Sequence, residues 1–218
     1  MPSSYLILHG IDNHRPPQHW QFLLAAKLIE RGCEVRYPGL PEPDAPVRNS
    51  WLSALDHELN ALTGEERVVV CDSLACLLWF AFSERQDAGG DRARADRLLL
   101  VSPPASDRVP EAGASFRLSG FDARAVRESV RGEIAIACSD ADPYNPAGAQ
   151  TTLRRRARRN REGLSRRVSH HARNRLRAMV FRDGVVPWGR RVARLKDWCL
   201  WLGLASPGRE QRHSRRGT

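Results

Sequence analysis

The chain has 218 residues, 41% of them hydrophobic, a formal net charge of +10 and five irregularly spaced cysteines. That size suits one globular core, and no run approaches the roughly 18 apolar residues of a membrane span. An odd cysteine count without a CxxC pair argues against a disulfide framework or a zinc site, so reduced thiols in a cytoplasmic protein are expected.

The charge is unevenly spread. Residues 1–150 hold 15 Lys and Arg against 21 Asp and Glu, whereas residues 151–218 hold 20 against 4. An acidic body therefore carries a strongly basic C-terminal third. Such asymmetry marks either a tail for nucleic acid or a membrane surface, or a segment foreign to the fold.

Met1 to His9 lacks the basic start of a signal peptide. Ser4-Tyr5-Leu6-Ile7-Leu8-His9 reads instead as a buried strand meeting a loop at Gly10. Trp20, Leu24 and Leu28 recur every four residues within 18–31, so a helix is expected there, stopped by Gly32. Cys33–Tyr37 alternates as a second strand, and Pro38, Pro41, Pro43 and Pro46 make the next segment an extended loop. Leu52, Leu55, Leu59 and Leu62 line a second helix, with its cap expected near Asn49 or Ser50 and its end at Gly64.

Arg67–Cys71 is a β-branched run, followed by Asp72-Ser73 and then an apolar run too long for another strand. This is the layout of a nucleophile elbow, in which a strand turns sharply into a helix and lifts a serine hydroxyl above the sheet. Small residues are needed two before and two after the serine, and Cys71 and Ala75 stand there in place of the usual glycines. Leu98–Val101 reads as a central strand ending at Ser102-Pro103-Pro104, and residues 105–132 as a cap over a cleft, with a short helix near 122–130. Ile134–Cys138 is a fifth strand, followed by Ser139-Asp140-Ala141-Asp142-Pro143-Tyr144. Alternating strands and helices predict an α/β fold, a parallel sheet with helices on both faces in a three-layer sandwich.

Past residue 150 the pattern thins. Residues 152–162 form an arginine-crowded helix at best, residues 164–169 are left as the last strand, and Trp188, Val192, Leu195, Trp198 and Trp201 suggest a final amphipathic helix. Residues 206–218 read as a disordered basic tail.

Hydrolysis at a serine needs a raised hydroxyl, a base, a carboxylate to orient the base, and N–H donors for the oxyanion. Ser73 is the candidate nucleophile. Leu74 N–H at the following helix start is one candidate donor, and Ile11 N–H, just past His9-Gly10, is the second. Asp142 emerges from a strand end on the same sheet edge and is the candidate orienting acid, with Asp140 as its rival and a simple turn before Pro143 as the structural alternative. In the chain order Ser, Asp, His, the base is His170 or His171, since His213 lies in the tail. No metal or organic cofactor is required by this chemistry.

These stretches together resemble the small α/β hydrolases of the retinoblastoma-binding protein 9 family. The resemblance spans about Tyr5 to Pro146. It is carried by Leu8-His9-Gly10, His14-Arg15-Pro16-Pro17-Gln18-His19-Trp20, the Pro38–Pro46 loop with Trp51, Val70–Leu77, Val101–Pro104 and Ser139–Pro146. It implies one α/β-hydrolase domain over residues 1–205 and a triad that carries over to Ser73 and Asp142. The implied substrate is a small ester or amide. Two departures stand out. Asp72 occupies the place where the family usually has histidine. Gly184-Val185-Val186-Pro187-Trp188 resembles the stretch following the family's Gly-His motif, yet counting back from it reaches Ala178, while counting forward from Asp142 reaches His170.

One hypothesis for the basic third is that residues from about 151 onward are partly frame-shifted, which resequencing the gene decides. Two other functions stay open on the sequence: a catalytically inactive hydrolase-fold binding protein, and nucleic-acid binding through the basic tail, for which 151–177 offers no aromatic interleaving. The oligomeric state is left open.

Overall fold

The computed structural model describes residues 3–85, 94–139 and 142–145, together with the backbone of 176–181. Six strands are formed in chain order: β1 (Ser3–Leu8), β2 (Glu34–Arg36), β3 (Glu66–Asp72), β4 (Arg97–Val101), β5 (Ile134–Ser139) and β6 (Leu176–Phe181). Between them run α1 (Trp20–Glu30), α2 (Arg48–Asn60), α3 (Leu74–Glu84) and α4 (Ala123–Glu128). The strands pair in the order β2-β1-β3-β4-β5-β6, and every pairing is parallel.

Burial on both faces of the sheet explains why its strands read as continuous apolar runs. Leu6, Leu8, Val69, Cys71, Leu98, Leu100, Ile134, Ile136 and Cys138 join the core cluster with Trp51, Leu55 and Leu59 of α2 and the apolar side chains of α3. The alternate residues, among them Ile7, Val68, Val70, Leu99 and Ala135, are also buried. Helix α3 lies wholly inside from Leu74 to Ser83, as its unbroken apolar sequence requires. Among the described residues no helix is long and apolar enough to cross a membrane.

Local signals account for most boundaries. His19 caps α1, its Nδ1 accepting from Gln21 N at 3.3 Å, and Gly32 follows the helix with φ +76, the left-handed stop. Asp122 caps α4 by accepting from Arg124 N at 2.8 Å.

Two expectations are corrected. Helix α2 is not capped by Asn49 or Ser50. It starts at Arg48, with Val47 at the cap position, and a tertiary contact satisfies Arg48 N, which donates to Ser115 Oγ at 3.1 Å. The strand beyond β5 is Leu176–Phe181, whose register runs from Ile134↔Leu176 to Ser139↔Phe181. It is a short apolar run broken only by Arg177 and set in an arginine-rich stretch. Residues 164–169, expected in that role, the helices expected at 152–162 and from Trp188 onward, and the tail lie outside the described residues.

In register, Leu8 sits beside Cys71, Asp72 beside Val101, and Val101 beside Ala137. The C-terminal strand ends therefore share one rim, where an open parallel sheet presents its loops to ligands.

Candidate active site

Strand β3 ends at Asp72, and Ser73 takes φ 50 and ψ −115 before α3 begins at Leu74. That conformation is costly for a residue with a Cβ, on the order of 1–3 kcal/mol. It is held from both sides. Ser73 N donates to Val101 O at 2.8 Å, and Cys76 N donates to Ser73 O at 2.9 Å. The serine side chain forms no cap hydrogen bond to the helix it precedes. Cys71 and Ala75 are fully buried, and Cys76 Sγ donates to Cys71 O at 3.3 Å. Small side chains without glycine are enough to close this elbow.

The loop leaving β1 lies directly on the serine. A Cβ added at Gly10 would sit 2.9 Å from Ser73 Cβ and 3.5 Å from Ser73 Oγ, a spacing only glycine allows. Ile11 Cδ1 and Leu74 Cδ2 each lie 3.4 Å from where a Gly113 Cβ would stand. Gly113 belongs to the 3-10 turn Glu111–Phe116, whose Phe116 packs edge-on against Trp51 at 5.1 Å between centroids. Ser73, Leu74, Gly10 and Ile11 are thus brought into one place.

His9 has a structural role. Its Nε2 accepts from Leu40 N at 2.9 Å, which leaves the proton on Nδ1, donating to Gly10 O at 2.8 Å. The ring is buried, stands edge-on to Trp51, and has its pKa pushed below 6.5 by that burial. With both nitrogens engaged it is not the base for Ser73. It latches the Pro38–Pro46 loop to the rim, helped by Trp51 Nε1, which donates to Pro41 O at 2.7 Å.

Asp142 lies just past β5 on the same rim as Ser73. Its Oδ1 accepts from Tyr144 N at 2.9 Å and its carbonyl from Asn145 N at 3.1 Å, an Asx turn. The turn is clipped to the exit of β4. Buried Asn145 Nδ2 donates to Pro103 O at 2.9 Å, and Ala105 N donates to Tyr144 O at 2.9 Å. Asp142 is close enough to act electrostatically on Asp72. Burial first, and then the Asp142 charge, push the Asp72 carboxyl up to about 7. Burial and the Asp72 charge push the Tyr37 phenol up to about 12. Asp72 thus sits in the field of Asp142 and acts in turn on Tyr37, one residue before the serine.

His170, His171 and Asp140 lie outside the described residues. The sequence reading missed a buried amide network on the β1–α1 loop, centred on Gln21, because no motif announces it. Among the described residues one set could hold a metal ion: Asp12, His14 and Asp44, all exposed, with ligand atoms within 4.8 Å of one another. His14 Nε2 already meets Asp44 Oδ1 at 2.8 Å, so an exposed histidine–aspartate hydrogen bond holds two of the three.

Over residues 5–158 the chain matches the family model described as serine hydrolase. No curated protein matches it. Among solved structures it is similar to the ydeN gene product of B. subtilis, with 20% identity and a TM-score of 0.58, over 82% of this chain and 85% of that one. It is also similar to a protein described as a YdeN-like hydrolase from Pectobacterium atrosepticum, at 15% identity and a TM-score of 0.50, over 82% and 77% of the two chains. At these identities the two structures speak for the fold alone.

Proposed function

The chain belongs to the serine hydrolase family, and on that premise we propose that it cleaves a small carboxylic ester or amide through an acyl-enzyme on Ser73. The observation that carries this reading is the strained Ser73 backbone at φ 50, with Gly10 pressed against the side chain it holds out. In the proposed reaction Ser73 Oγ attacks the substrate carbonyl carbon while its proton passes to the base. The carbonyl oxygen becomes an oxyanion between the N–H groups of Leu74 and Ile11. The base then protonates the departing alcohol or amine as the tetrahedral carbon collapses to acyl-Ser73. Water, deprotonated by the same base, releases the acid. The histidines the sequence offers as base, with Asp142 orienting it, are His170 and His171, both of which precede β6 in the chain.

A second reading, an inactive hydrolase-fold binding protein, is favoured by one observation. Strand β6 runs parallel to β5, so Phe181 is its residue on the Ser73 rim. A base conventionally follows that strand end, and from Phe181 onward the sequence has no histidine before His213.

A fluorophosphonate probe and short p-nitrophenyl esters test the two readings. Labelling and turnover that vanish in Ser73→Ala are expected, with either His170→Ala or His171→Ala losing turnover too. Wild type that labels no better than Ser73→Ala rejects catalysis.

A further inference from the structure

We infer that Gln21 is a positioning residue that sets the shape of the loop carrying the Ile11 N–H, an inference resting on the serine hydrolase reading of Ser73. Gln21 is fully buried in the first turn of α1, where an amide is tolerated only with its hydrogen bonds made. Its Nε2 donates to Leu8 O at 2.9 Å, at the last residue of β1. Its Oε1 accepts from Asn13 Nδ2 at 3.1 Å and from Tyr37 Oη at 3.4 Å. Asn13, itself buried, passes the constraint on, its Oδ1 accepting from Arg15 N at 2.7 Å.

The segment held this way is the one that lies on the nucleophile. Between Leu8 and Gln21 the chain makes two left-handed steps, Asp12 at φ 60 and Arg15 at φ 55, conformations that persist only when the surroundings impose them. Asp12 N donates to Pro43 O at 2.8 Å from the outer side, and the Gln21–Asn13 bond holds the inner side. Gly10 and Ile11 lie between the Leu8 and Asn13 attachments. A shift of a few tenths of an ångström at Asn13 is therefore delivered to the Ile11 N–H. The Gly10 contact with Ser73 leaves no slack to absorb it.

Oxyanion donors act only where charge develops, so loss of alignment lowers kcat and leaves KM unchanged. Gln21→Leu and Asn13→Ala are made singly and together, and turnover is referred to active sites titrated by the acyl burst at a temperature where each variant is folded. The expected result is a 10- to 100-fold fall in kcat for each single variant, KM within about twofold of wild type, and a double variant no worse than the poorer single one. Amide hydrogen exchange gives a second readout that needs no turnover: residues 9–15 should exchange at least about tenfold faster in Gln21→Leu, with the core of β3 unchanged. Unchanged exchange in the loop, unchanged kcat, a rise in KM alone, or multiplicative losses in the double variant each overturn the inference. Failure of the catalytic reading shows separately, as wild-type turnover no higher than that of Ser73→Ala.

Discussion

Replacing Asp72 by Asn gives a quantitative test of how the site is built. Asn keeps the shape of the carboxyl and removes its charge. The Asp72 carboxyl rises from the ordinary 3.8 to about 7 in the folded protein, through burial first and Asp142 second. The folded state therefore binds this proton more tightly than the unfolded state does. Folding is unaffected by the carboxyl below about pH 4 and is progressively penalised as pH rises from 4 to 7. The full penalty above pH 7 is on the order of 4 kcal/mol, and between pH 5 and pH 8 it grows by about 2–3 kcal/mol. Asp142 acts on this carboxyl, and Tyr37, Cys71 and Cys76 feel its charge. Urea unfolding of wild type and Asp72→Asn at pH 5, 6, 7 and 8 measures the effect. The difference between the two proteins should widen by about 2–3 kcal/mol in favour of Asn from pH 5 to pH 8. Any pH-independent cost of the amide cancels in that comparison. Parallel stability curves would refute the reasoning, because they would mean that Asp72 is hydrated and titrates normally. Turnover should follow the same carboxyl: once ionised, Asp72 opposes the oxyanion beside it, so the activity ratio between pH 8 and pH 6 should rise in the variant.

Two further substitutions probe the elbow and the loop on top of it. Ser73→Gly should unfold at higher urea than Ser73→Ala, by on the order of 1–3 kcal/mol, because glycine occupies φ 50 without strain and alanine does not; equal midpoints would remove the strain argument. Gly10→Ala should cost about 1–3 kcal/mol in stability and lower ester turnover at least about tenfold, since its new methyl group lands 2.9 Å from Ser73 Cβ. Gly32→Ala is the control. It carries the left-handed φ of +76 with nothing within 4 Å, so it should cost stability alone, measured in the same unfolding assay, and leave turnover intact.

Much of the architecture was legible because it is written in local periodicity. The run Val68-Val69-Val70-Cys71 has no face to expose and had to be a central strand, and Leu74–Ser83 had to be an interior helix. A strand and a helix joined through one polar step left Ser73 little room but the sharp bend it makes. Loop contacts between distant segments were not legible. The α2 cap is supplied by Ser115, 67 residues away, where Asn49 and Ser50 looked sufficient. The strand beside β5 proved to be Leu176–Phe181, because a parallel edge chooses its partner by register and space as well as by hydrophobicity. Nothing in the local sequence marks Gln21, whose amide bonds to Leu8, Asn13 and Tyr37.

By itself the sequence determined the order and type of the elements from β1 to β5 and the position of the elbow, because hydrophobic period and side-chain size act within a few residues. Only the tertiary structure decided that Gly10 lies against Ser73, that His9 is a latch with both nitrogens spent, and that Asp72 shares its surroundings with Asp142. Those depend on which loops the sheet brings to one rim and how much water they exclude there, and no local pattern encodes either.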